Sequence, residues 1–83
     1  MEGERALMRR VAQGDGRAFT ELVEAYGPKL MAVATRLLGS RADAEDAVQR
    51  ALLQTYQAAG SYEPRWAVST WLYRVLTNVC VDE

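Results

Sequence analysis

Apolar side chains recur three and four residues apart in four successive segments of this chain, and nowhere do they alternate with polar ones over a useful length. A period near 3.6 puts such positions on one face of an α-helix, whereas a half-buried strand needs a period of two. The spacing therefore predicts an all-α chain.

Turn and cap residues set the boundaries. Leu7, Met8, Val11 and Ala12 share one face of a short helix over Arg5 to Gln13, which Gly14 can end, and Asp15 supplies an N-cap for the next. Phe19, Leu22, Val23 and Tyr26 carry the spacing on, and it resumes after Gly27-Pro28 through Leu30, Met31, Val33, Ala34, Leu37 and Leu38. Pro28 removes a donor and disfavours helical geometry at the residue before it, which predicts a kinked helix or two abutting ones. Gly39 suits a C-terminal cap, and Ser40 with Asp43 resembles a capping box, so a third helix starts near Arg41. Its apolar face holds Ala44, Val48, Ala51, Leu52, Thr55 and Ala59, and Gly60 ends it.

Pro64 pushes Glu63 out of the helical region and makes Ser61 to Arg65 a loop. The last helix begins between Arg65 and Thr70 and runs through Trp71, Leu72, Val75, Leu76 and Val79. The expectation is a compact bundle of four to five helices. This last helix is still in phase at Asp82-Glu83 without a cap, which predicts that residues 1–83 are one domain of a longer protein.

At 83 residues only about 60% of the unfolded surface can be buried, so one simple core is expected. Cys80 is the only cysteine, so no internal disulfide or cysteine zinc site can form, which suits a reducing compartment. No export signal or membrane-length apolar run is present, and a cytoplasmic protein without membrane insertion is expected. A net charge of −1 argues against a coat on duplex DNA, so any nucleic-acid site must be local. From Ala47 to Val81 the acids thin to Glu63 beside Arg50, Arg65 and Arg74, making the last third the anion-facing side.

Catalysis has little to work with. There is no histidine, and Lys29 and Cys80 stand alone in periodic helical stretches. Asp43, Glu45 and Asp46 lack further carboxylates at metal-binding spacing, and acids in a helix's first turn are favoured by its dipole. No enzyme activity and no cofactor are expected.

Five features occur in order: Gln13-Gly14-Asp15 before Ala18-Phe19; Tyr26-Gly27-Pro28; Asp43-Ala44-Glu45-Asp46-Ala47-Val48-Gln49; the aromatic and proline loop from Tyr62 to Trp66; and Thr70-Trp71-Leu72-Tyr73-Arg74-Val75 with Asn78. In this order and spacing the chain, from about Leu7 to Asp82, resembles the first conserved domain, region 2, of extracytoplasmic-function sigma factors. The resemblance implies a transcription initiation domain that binds core RNA polymerase and melts the minus-ten promoter element as single-stranded DNA. It nominates Asp46, Gln49, Arg50 and Leu53 to dock on the clamp helices of the largest polymerase subunit, although Arg50 stands where the family usually has glutamate. From the residues alone, this flank reads first as a solvated helix face.

The resemblance assigns promoter DNA to Tyr62, Glu63, Pro64, Arg65, Trp66, Ser69, Thr70, Arg74 and Asn78, with one flipped base held in the loop and another read by Asn78. The chemistry agrees, because unstacked bases need π-surfaces, amide hydrogen bonds and phosphate partners. Trp71 is assigned to the core by its spacing with Leu72 and Val75. Thr77 stands where many relatives carry arginine, which predicts weak intrinsic affinity. An anti-sigma factor is a further implied partner. The competing reading is a helical protein-interaction module, for example an anti-sigma-binding domain, without a DNA role.

Overall fold

The computed structural model describes residues 3–81. Among the described residues, four α-helices follow in order: α1 (Glu4–Ala12), α2 (Gly16–Leu38), α3 (Arg41–Ala58) and α4 (Val68–Val81), with a 3₁₀ turn at Ala59–Ser61 between the last two. The predicted continuation of the last helix through Asp82 and Glu83 lies outside the described residues. No helix among the described residues is long and apolar enough to cross a membrane.

The caps expected from sequence are in place. The Asp15 carboxylate accepts from the Arg17 and Ala18 amides at 3.0 and 3.2 Å and starts α2. The Ser40 hydroxyl accepts from the Asp43 amide at 3.3 Å and starts α3. Gly39 ends α2 at φ +69°, where a Cβ would be strained, and its amide donates to the Thr35 carbonyl at 2.8 Å.

Pro28 does not divide α2, which continues through it as one helix. Loss of one ladder bond and the proline's steric conflict cost roughly 3 kcal/mol in a helix interior. Three observations explain why the helix survives. Gly27 brings no Cβ against the proline ring, and Pro28 lies on the solvent face, where water can take the freed Glu24 carbonyl. Meanwhile Leu22, Tyr26, Leu30 and Ala34 bury one continuous stripe on both sides of it.

That stripe packs chiefly on α3, whose Ala44, Ala47, Val48, Ala51 and Leu52 are buried, and α4 closes the core with Val68, Leu72, Leu76, Val79 and Cys80. Thr55, also buried, donates its hydroxyl to the Ala51 carbonyl at 2.8 Å and so leaves no unpaired polar atom. The short α1 covers one end of the bundle through Met8 and Val11 and lies against the 3₁₀ turn. Ala12, expected on its buried face, is exposed, because α1 ends there and turns through Gly14 at φ +85°.

Candidate nucleic-acid and partner interfaces

The loop that follows the 3₁₀ turn is built by its own residues. Tyr62 is extended, and the chain then turns so that the Trp66 amide donates to the Glu63 carbonyl at 3.0 Å. The Tyr62 hydroxyl donates to the Trp66 carbonyl and closes the loop. From the other end of the chain, on α1, the Arg5 guanidinium donates through Nε to the Pro64 carbonyl.

Between this loop and the first turns of α4 lies an open cavity of about 330 Å³ lined by Ser61, Glu63, Arg65, Trp66, Thr70, Trp71 and Arg74. Two indoles and two guanidiniums thus face one space. Arg65 pairs with Glu63 at 2.6 Å and lies 5.7 Å from the Trp66 ring centroid, a cation–π distance. Glu63 therefore offsets part of the positive charge at the mouth while keeping carboxylate oxygens available as acceptors. Trp66 is 42% exposed, so part of its indole is open to solvent beside this cavity.

Along α4, Thr70, Arg74 and Asn78 are all exposed and follow one another at four-residue intervals, so they form a single stripe opposite the buried Leu72, Leu76 and Val79. The stripe leads out of the cavity, with Asn78 one turn beyond Arg74. Thr77 turns its hydroxyl to the Tyr73 carbonyl at 2.8 Å.

Of the nine residues nominated for DNA, the cavity gathers Glu63, Arg65, Trp66, Thr70 and Arg74. Asn78 joins them through the stripe. Ser69 is half-buried and does not line the cavity, and Pro64 contributes its carbonyl to Arg5. Tyr62 is also half-buried, and its ring meets that of Trp71 edge to face. Trp71 is placed differently from its sequence assignment: it packs on the core yet remains half-buried, and it also lines the cavity. Its spacing showed the first role. The second follows from the Tyr62 ring standing beside it, which helical period does not report.

On the other side of the bundle, Asp46, Gln49, Arg50 and Leu53 all lie on the exposed flank of α3. Asp46 and Arg50 form an i,i+4 ion pair at 3.3 Å. Leu53 is 57% exposed and borders a hollow of about 500 Å³ formed with Phe19, Val23, Gln49, Leu52 and Tyr56. Phe19 and Tyr56 meet edge to face at 5.1 Å and give the hollow an aromatic wall. Gln49 also borders the next hollow, toward Met31, Arg41 and Asp46. Phe19 and Tyr56 were not nominated from sequence. Tyr56 stands three residues after Leu53, a spacing that was there to be used.

A sequence model of the Sigma-70 region 2 family matches residues 22–83. Among curated proteins the chain is 36% identical over 75 residues to the ECF RNA polymerase sigma factor SigW of Bacillus subtilis, covering 90% of this chain and 40% of that protein. It is 40% identical over 75 residues to the ECF RNA polymerase sigma-E factor of Haemophilus influenzae, covering 90% of this chain and 39% of that protein. The chain thus spans about 40% of the length of these relatives. A solved NMR structure, an engineered region 2 of sigmaE in complex with GTAAAA, superposes with a TM-score of 0.88 at 34% identity, covering 98% of this chain and 84% of that one.

Proposed function

Because the chain belongs to the Sigma-70 region 2 family, we propose that it binds core RNA polymerase and captures the minus-ten promoter element as single-stranded DNA. The observation that carries this reading is the cavity at the loop, where Trp66 and Trp71 supply π-faces and Arg65 and Arg74 supply cations around a space open to solvent. An unstacked base gains a stacking surface there while its phosphates gain cationic partners. The sigmaE region 2 neighbour, solved with GTAAAA, supports the same reading.

In this reading the loop from Tyr62 to Trp66 receives one extruded base. Trp66 stacks on it, Glu63 accepts from its edge, and Thr70 and Arg74 meet the backbone. Asn78, whose amide is both donor and acceptor, reads a neighbouring base. Tyr62 supports Trp71 from behind. The α3 flank of Asp46, Gln49, Arg50 and Leu53, with the adjoining aromatic hollow, docks on the clamp helices of the largest polymerase subunit: polar groups ring an apolar centre, as protein interfaces require. An anti-sigma factor seated on that flank would compete with polymerase. The domain works as a binding module in the cytoplasm and performs no chemistry of its own.

The test is competition in a holoenzyme assembled with this domain. Single-stranded oligonucleotides carrying a minus-ten element should compete with promoter DNA, and scrambled ones of equal length should not. Equal competition by both would overturn the reading.

A further inference from the structure

We infer that Arg5 is a positioning residue for the base-capturing loop, and that α1 is the strut from which it acts; this rests on the reading of that loop given above. Arg5 donates to the Pro64 carbonyl across 59 positions of sequence and so ties the middle of an irregular segment to a helix at the other end of the chain. The loop's other bonds are internal. The Trp66 amide reaches Glu63, the Tyr62 hydroxyl reaches the Trp66 carbonyl, and Arg65 pairs with Glu63. Such bonds fix the loop's shape, and the Tyr62–Trp71 ring contact ties its start to α4, whereas the Arg5 bond ties its middle to α1.

A strut must itself be held, and α1 is held at both ends. The buried Tyr26 side chain donates its hydroxyl to the carboxylate of Glu4, the residue next to Arg5, and pins the first turn of α1 to α2. At the other end Arg10 bonds Asp15 at 2.9 Å, while Met8 and Val11 are buried between them. Arg5 thereby projects from a fixed turn, and its bond converts the position of α1 into the position of Pro64. The adjoining residues of that segment, Glu63, Arg65 and Trp66, line the cavity. Guanidinium suits the task, since a hydrogen bond from a charged donor is stronger than a neutral one.

The experiment has two arms, both on the Arg5→Ala variant. In the first, without DNA, hydrogen exchange of the Trp66 amide should speed up about tenfold, as loss of one charged hydrogen bond implies, while the amides of Leu72 and Leu76 in α4 keep their rates. An unchanged Trp66 rate, or an equal rise throughout α4, overturns the inference. In the second, in holoenzyme, affinity for a single-stranded minus-ten oligonucleotide should fall several-fold. An oligonucleotide abasic at the captured position should bind variant and wild type alike, with the same salt dependence. Equal losses on both oligonucleotides would make Arg5 a phosphate contact or a general fold residue and also overturn the inference. If wild type itself fails to distinguish the intact from the abasic strand, the loop's proposed DNA role falls, whatever the exchange rates show.

Discussion

The rings of Tyr62 and Trp71 meet edge to face, with centroids 5.5 Å apart and planes at 68°, so the last residue of loop entry and the first full turn of α4 stabilise each other. Complete truncation of a buried tryptophan costs about 3–5 kcal/mol. Trp71 is half-buried, and Trp71→Ala should therefore destabilise by about 2 kcal/mol, measured by urea unfolding. Tyr62→Phe should cost less, because it keeps the ring contact and removes the hydroxyl bond to the Trp66 carbonyl. A Trp71→Ala cost above about 4 kcal/mol would return Trp71 to the fully buried core.

Asp46→Arg should weaken capture of core polymerase while leaving stability within about 0.5 kcal/mol of wild type, since an exposed i,i+4 pair is worth only a few tenths. Leu53→Lys should act the same way through the apolar centre of the flank. Retention of normal holoenzyme formation by both variants would remove this flank from the interface.

Arg74→Ala and Asn78→Ala should fail differently although the residues lie one turn apart. Loss of Arg74 should weaken binding to all minus-ten sequences and flatten the salt dependence, as loss of a phosphate contact does. Loss of Asn78 should relax preference at a single base. A promoter-competition series in holoenzyme separates the two, and unaltered base preference in Asn78→Ala would make Asn78 an ordinary surface residue of α4.

Stability should fall at both pH extremes, for opposite reasons. The hydrogen bond from Arg10, aided by the Ala18 amide, holds the Asp15 carboxyl below its ordinary value of 3.8, so its contribution is present above pH 3.8 and is lost as pH falls through the lowered value. Burial, then the bond to Glu4, raises the Tyr26 phenol well above its ordinary 10.0, so its contribution is present below pH 10 and is lost as pH climbs past it. Thermal unfolding against pH should show the acid limb weakened in Arg10→Ala and the alkaline limb weakened in Tyr26→Phe.

The helices were legible because their signals are local. Asp15, Ser40 and Gly39 act within one turn of themselves, and the apolar face of α3 from Ala44 to Thr55 follows directly from its period. Pro28 was harder. The rule at Gly27-Pro28 is local, but the packing of α2 on α3 that outweighs it is not. The candidate site was legible as a loop and a helix stripe, yet its internal order was not. That Tyr62 backs Trp71 and that Arg5 holds Pro64 are facts of folding back, and the latter joins residues 59 positions apart.

The Asp46–Arg50 pair bears on association kinetics. Two opposite charges 3.3 Å apart on adjacent turns cancel at a distance, so this pair casts little field beyond a Debye length of about 8 Å. Electrostatic steering, which carries encounter rates to roughly 10⁸–10⁹ M⁻¹s⁻¹, then has little to act on here, and in the proposed docking encounter through this flank would proceed near the neutral scale of about 10⁵–10⁶ M⁻¹s⁻¹. In the proposed docking, competition for polymerase would accordingly be decided by residence time, through how slowly Leu53 and the Phe19–Tyr56 wall release the clamp helices.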